Sequence, residues 1–240
     1  MLGICSAILK NSMEFVEEQQ PAAVQAIADR IARELHRGQR VLWLVSGGSN
    51  VEAEVAIMAA LQASAADRLP GLAILPMDER YGPLGHEHSN SQALRAAGFQ
   101  PGAAVWVDVL VHNVTFEQTA SFYNEVADTL MGNAGVVVGQ FGMGSDGHVA
   151  GVLPHSPSVD ADEVMVAGYD WSDFPRLTLT PSALGRVDVG YVLAYGSVKQ
   201  RALERVHAHS EPLEDLPAML LFDIPEVYIY TDTEVSKEIR

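Results

Sequence analysis

The chain is predicted to be an α/β protein: a doubly wound, mainly parallel sheet with helices on both faces, in one domain over residues 1–240. Three observations predict this. The apolar runs Val41-Leu42-Trp43-Leu44-Val45 and Gly135-Val136-Val137-Val138 show no polar alternation, as expected of strands buried on both faces. Segments with apolar residues at helical spacing alternate with such runs, the pattern of repeated strand–helix units. Glycine-bearing turns follow the runs: Ser46-Gly47-Gly48 after the first, and Gly142-Met143-Gly144-Ser145-Asp146-Gly147-His148 shortly after the second. Folds of this class place their ligands beyond those strand ends.

The elements follow in order. Residues 21–37 repeat apolar side chains at Val24, Ile27, Ala28, Ile31 and Leu35, which predicts a helix stopped by Gly38. The strand at 41–45 leads to a helix at 51–62, capped by Ser49 or Asn50. The unit then repeats as strand 72–77 and helix 89–97, then strand 104–108 and helix 116–131. Strand 135–139 runs into the second glycine-rich motif. Strands at 164–167, 177–180 and 189–194 follow, then a helix at 198–209 and a last strand at 226–230. No internal repeat, low-complexity tract or linker interrupts this pattern.

With 240 residues, 48% of them hydrophobic, the chain can bury a sizeable core. Its net charge of −16 repels nucleic acid and anionic membrane surfaces, so neither is expected as a partner. An anionic ligand would require the few Lys and Arg to gather in one pocket. The single cysteine, Cys5, forms no intrachain disulfide and fits a reducing compartment. The apolar patch at 2–9 lacks a basic start and is followed by polar residues, unlike a signal peptide. No apolar run is long enough to span a bilayer, and a soluble, cytoplasmic protein is expected.

Five segments carry candidate chemistry. The acid and the histidine of Asp146-Gly147-His148 sit at a turn, where a histidine can take and return a proton near neutral pH. The loop Ser46-Gly47-Gly48-Ser49-Asn50 offers backbone N–H groups at a helix start, a setting that suits a phosphate, although an ordinary strand-to-helix turn needs the same glycines. Asp78-Glu79-Arg80 can position a base and hold an anion, or form a surface loop with its own ion pair. Arg176 and Lys199 open elements beside Pro175 and after Gly196, and each can bind phosphate or stand as a solvated charge. His86-Glu87-His88 lacks the His-Glu-x-x-His spacing of a metal site and is read as a surface loop, as are His112, His155, His207 and His209.

Taken in order, these segments resemble the 6-phosphogluconolactonase family, which is grouped with glucosamine-6-phosphate deaminase in a sugar-phosphate superfamily. The matching residues are Ser46-Gly47-Gly48-Ser49, Asp78-Glu79-Arg80 with Ser89-Asn90, and 142–148. Pro175-Arg176-Leu177-Thr178-Leu179-Thr180, Gly196-Ser197-Val198-Lys199 and Leu216-Pro217-Ala218 follow. Two details favour the lactonase branch. Arg80 stands where deaminases usually carry an aromatic residue. Val149-Ala150-Gly151-Val152-Leu153-Pro154 replaces the deaminase Phe-Asn-Glu-Pro and its catalytic Glu. Asn50-Val51 departs from the usual Thr-Pro, Val149 from Thr, and Gly151 from Ser.

The resemblance implies the fold shared by glucosamine-6-phosphate deaminase, ribose-5-phosphate isomerase and CoA-transferases. It also implies hydrolysis of 6-phospho-D-glucono-1,5-lactone, with no metal or organic cofactor. His148 is then the general base. Asp146 orients it, with Asp78 the alternative. Arg80 or backbone N–H groups near Gly144 stabilise the developing oxyanion. Ser46, Gly47, Gly48, Ser49, Asn50, Arg176 and Lys199 hold the phosphate. The competing readings are deamination of glucosamine 6-phosphate and a non-catalytic sugar-phosphate sensor. Oligomeric state, monomer or dimer, is left open.

Overall fold

Side-chain alternation within buried strands sets the layering. The structure, a computed structural model, describes residues 11–235; Cys5 and the patch at 2–9 lie outside them. Its strands are β1 (Ser12–Glu17), β2 (Val41–Val45), β3 (Leu72–Pro76), β4 (Asp78–Arg80), β5 (Val105–Trp106), β6 (Val136–Gly142), β7 (Val166–Tyr169), β8 (Arg176–Leu179), β9 (Val189–Leu193) and β10 (Glu226–Thr231). Its helices are α1 (Gln20–His36), α2 (Val51–Ser64), α3 (Asn90–Ala96), α4 (Phe116–Asn133), α5 (Pro181–Leu184) and α6 (Gln200–Ala208). Seven strands form one sheet in the order β1-β10-β9-β6-β2-β3-β5, every neighbouring pair parallel.

All five residues of β2 are buried because the strand feeds two cores. Val41, Trp43 and Val45 pack with Ile27 and Ile31 of α1 and Ile57 and Leu61 of α2. Leu42 and Leu44 point the other way, into a core with Tyr123 and Ala127 of α4 and Leu203 and Val206 of α6. From β2 the chain winds outward to β3 and β5, whereas β6, β9 and β10 extend the sheet on the other side. The strand order therefore reverses between β2 and β6, and a crevice opens at their carboxyl ends.

A second, antiparallel sheet, β4-β8-β7, covers part of this crevice. Its register sets Asp78 opposite Thr178 and Arg80 opposite Arg176. Placing two like charges opposite each other is unfavourable in a sheet that serves only the fold.

Several boundaries differ from expectation for identifiable reasons. β1 was not expected: Ser-Met-Glu-Phe-Val-Glu is an edge strand paired only with β10, so it lacks a continuous apolar run. β4 was not expected as a strand, because its three residues are all charged. The strand expected at 104–108 pairs with β3 only through Val105 and Trp106. The helix expected at 51–62 runs to Ser64 and is preceded by a 3₁₀ turn, Gly48–Asn50, with no side-chain cap from Ser49 or Asn50. The Asn50 amide donates instead to Ser46 Oγ at 2.9 Å. The helix expected at 198–209 likewise opens with a 3₁₀ turn, Ser197–Lys199, before α6. No helix among the described residues is long and apolar enough to cross a membrane.

Candidate active site

The loops that follow β2 and β6 meet the β4/β8 pair around a cleft of about 250 Å³. Its walls include Ser46, Gly47, Gly48 and Ser49 from the first loop and Gly144 and His148 from the second. Asp78, Arg80 and Arg176 come from the small sheet, and Lys199 from the turn before α6. Thus ten of the twelve expected site residues line one space. The other two stand behind it: Asp146 against His148, and Asn50 beneath Ser46.

The loop after β6 is tightly folded. Met143 bridges Val149, Gly144 N donates to His148 O at 2.8 Å, and Gly147 N donates to Gly144 O at 3.1 Å. Asp146 Oδ1 accepts from His148 N at 3.1 Å and lies 2.7 Å from His148 Nδ1. An ionised carboxylate only accepts, so Nδ1 carries the proton and Nε2 is left as the basic atom. Burial alone would raise the Asp146 pKa, but the hydrogen bond and charge of His148 bring it down to about 2. The carboxylate therefore stays ionised at neutral pH. Of the two acids expected beside it, Asp146 contacts the His148 ring and Asp78 makes no hydrogen bond to it.

Gly144 owes its identity to this pair. A Cβ there would lie 2.1 Å from His148 Nδ1 and 2.3 Å from Asp146 Oδ1. Its N–H, with those of Gly147 and His148, is already engaged within the loop. Of the N–H groups near Gly144 expected to stabilise an oxyanion, these three are thus spent on the loop's own shape.

Arg80 Nη1 donates to Asn90 Oδ1 at 2.7 Å, which fixes its guanidinium at the cleft wall. Arg176, 8% exposed, donates through Nη2 to Asp173 Oδ2 at 2.7 Å. The Lys199 ammonium donates to Met143 O, and burial lowers its pKa against the opposing pull of Asp146. Asp78 is nearly buried, and among the described residues its carboxylate has no hydrogen-bond donor. Burial raises its pKa, while Arg80, Arg176 and His148 pull it down and Glu79 pushes it up. Three cations, one acid and a histidine with a free nitrogen thus share a small cleft on a chain of net charge −16.

The family model described as Glucosamine-6-phosphate isomerases/6-phosphogluconolactonase matches residues 16–228. The chain belongs to this family. A 6-phosphogluconolactonase from Synechocystis is 27% identical over 179 residues, covering 68% of this chain and 71% of the relative. A crystal structure of a 6-phosphogluconolactonase from Shewanella baltica superposes with a TM-score of 0.75 at 19% identity, covering 92% of this chain and 97% of that one. A monomeric glucosamine-6-phosphate deaminase superposes with a TM-score of 0.76 at 16% identity, over 93% and 98% of the two chains. The backbone alone therefore does not separate this lactonase from this deaminase.

Within this family member, the motif residues divide into those that face the cleft and those that hold it. Glu79 is fully buried, and its carboxylate accepts from Arg80 N, Asn90 N, Ser91 N and Ser89 Oγ at 2.7–3.0 Å. It anchors the start of α3 and so positions Asn90, which in turn holds Arg80. Leu216-Pro217-Ala218 braces the loop after β6, with Ala218 N donating to Gly147 O at 2.9 Å. Arg205 Nη1 donates to Asp146 O at 3.1 Å; α6 gave no sequence signal for this role.

The departures after His148 have a structural explanation. Val149 is fully buried in the core shared with α4, away from the cleft. At Gly151 a Cβ would meet Thr178 Cβ at 2.8 Å and Asp78 Cβ at 3.0 Å. Thr178 Oγ1 accepts from Gly151 N at 3.0 Å, so a hydroxyl stands beside Asp78 even though residue 151 carries none.

The first loop departs from expectation. Ser46 N and Gly47 N both donate, at 2.9 Å, to Oε1 of Glu54, a fully buried residue of α2. These two N–H groups are not open to an anion in the cleft, and the Asn50 amide is given to Ser46. Sequence reasoning missed Glu54. The available signal was its place on the apolar stripe of α2, one turn ahead of Ile57 and Met58 and two ahead of Leu61. His86 Nε2 pairs with Arg80 O at 2.9 Å. Among the described residues, no group of three or more His, Cys, Asp or Glu side chains gathers as for a metal ion.

Proposed function

We propose that the chain hydrolyses 6-phospho-D-glucono-1,5-lactone to 6-phospho-D-gluconate, the lactone-opening step of the oxidative pentose phosphate pathway. The observation that carries this reading is the 2.7 Å Asp146–His148 contact, which opens onto a cleft shared by Arg80, Arg176 and Lys199. The family match and the Synechocystis relative support the substrate class.

His148 Nε2 takes a proton from water as the water oxygen bonds to the lactone carbonyl carbon. The carbonyl electrons move to oxygen, and Arg80, held at the cleft wall by Asn90, stabilises that charge. The tetrahedral carbon then expels the ring oxygen, which takes the proton back from Nε2. The carboxylic acid product releases its own proton to solvent. Asp146 holds the ring tautomer throughout. Arg176, Lys199 and the N–H groups at the start of the Gly48–Asn50 turn hold the phosphate.

Deamination would require a further acid after His148. Leu153 precedes Pro154 there and is largely buried, and Ala150 and Gly151 supply no carboxylate. The test is to incubate the protein with the lactone and, separately, with glucosamine 6-phosphate. Lactone opening above the spontaneous rate without ammonia release is expected. Ammonia release would replace this reading with deamination. Saturable binding of 6-phosphogluconate with neither turnover would replace it with a sensor.

A further inference from the structure

Glu54 is an expensive residue in its place. It lies on the stripe of α2 that packs against the sheet, where Ile57, Met58 and Leu61 are all buried, and it is itself fully buried. A carboxylate without a cation there costs desolvation, and an apolar side chain would pack without that cost. Its Oε2 meets no partner among the described residues. Burial pushes its pKa up to about 7, against the pull of the Gly47 and Ser46 N–H groups, and Asp78 adds to the push.

What Glu54 obtains is the backbone of the first cleft loop. One oxygen accepts both Ser46 N and Gly47 N, while Ser46 Oγ receives the Asn50 amide. The loop is thus held from behind at its first two residues. The next two, Gly48 and Ser49, begin a 3₁₀ turn, so their N–H groups have no partner within the turn. Both residues line the cleft, which they share with Arg176 and Lys199.

We infer that Glu54 is a positioning residue for recognition of the substrate's phosphate. It anchors the Ser46 and Gly47 N–H groups from behind, and so fixes the Gly48 and Ser49 N–H groups toward the anion. The inference rests on the reading of a phosphorylated lactone as substrate and assigns part of its selectivity to a residue that never touches it.

The test compares wild type, Glu54→Leu and Glu54→Gln with two lactones: the 6-phosphorylated one and unphosphorylated glucono-1,5-lactone. The readout is the ratio of kcat/KM for the two, which does not depend on the fraction of protein folded. Glu54→Leu is expected to lower the ratio about tenfold, as for loss of one charge-assisted hydrogen bond, through a higher KM with kcat nearly unchanged. Glu54→Gln keeps an acceptor oxygen for both N–H groups and is expected to stay within about threefold of wild type. An unchanged ratio in Glu54→Leu, with only its melting temperature altered, overturns the inference. If wild type opens neither lactone, the substrate reading fails separately. The dissociation constant of inorganic phosphate for wild type and Glu54→Leu then decides: about tenfold weaker binding supports the role, and equal binding overturns it.

Discussion

Replacing Gly144 by alanine is the smallest change that tests the catalytic pair. The new Cβ would lie 2.1 Å from His148 Nδ1, 2.3 Å from Asp146 Oδ1 and 2.4 Å from His148 Cε1, whereas ordinary contact begins at 3.4 Å. The imidazole, the carboxylate or both must therefore retreat by more than about 1 Å, and a misplacement of that size costs on the order of 100-fold in rate. The backbone of Gly144 is not in the left-handed region, so alanine adds no backbone strain there. The overpacking is local, worth about 1–3 kcal/mol of stability, and the folded protein remains measurable. The proposed phosphate contacts lie on the opposite loop and on Arg176 and Lys199, so KM should move little. The assay generates the lactone from glucose 6-phosphate with its dehydrogenase and subtracts spontaneous opening. A kcat within threefold of wild type in folded Gly144→Ala would refute the claim that the Asp146–His148 geometry drives the reaction.

Three further perturbations follow from the same contacts. Arg176→Ala should raise KM about tenfold or more and leave kcat nearly unchanged, because the guanidinium is assigned to phosphate and not to the reacting carbonyl; a kcat loss at unchanged KM contradicts that role. Glu79→Ala strands buried donors at the start of α3 and should cost about 3 kcal/mol in urea unfolding, with activity falling as Arg80 loses its support; wild-type stability would contradict the anchoring role. For Glu54 the folded pKa of about 7 lies above the ordinary 4.5, so the folded chain binds more protons between these values. Its contribution to stability is thus greatest below pH 4.5 and is lost as pH rises to 7, by about 3 kcal/mol. Unfolding free energies at pH 5 and pH 8 should show Glu54→Leu gaining on wild type as pH rises, and parallel pH dependences would contradict the assignment.

Much of the fold was legible because the central strands are buried on both faces. β2, β6 and β9 leave continuous apolar runs, and the glycines after them mark where the chain turns into the crevice. Of the small sheet, β7 and β8 were legible as the strands expected at 164–167 and 177–180, but β4 and the separate pairing of the three were not. β4 is three charged residues whose pairing with β8 spans 100 positions of sequence between Asp78 and Thr178, and no local pattern encodes it. At the site, the residues that face the cleft stood out as His148, Asp78, Arg80, Arg176 and Lys199, because charged groups at strand ends are conspicuous. What each backbone N–H does was not visible in the sequence. The Ser46 and Gly47 N–H groups turned out to belong to Glu54, and that of Gly144 to the His148 carbonyl. These are tertiary contacts between residues whose spacing carries no motif.

The central claim is that His148, oriented by Asp146, opens a phosphorylated lactone. The most direct test measures lactone hydrolysis by wild type and His148→Asn side by side, with spontaneous opening subtracted. The account predicts clear acceleration by wild type and a loss of about 100-fold or more in the variant. Equal rates for the two proteins would contradict the role of His148, and no acceleration by wild type would contradict the lactonase reading itself.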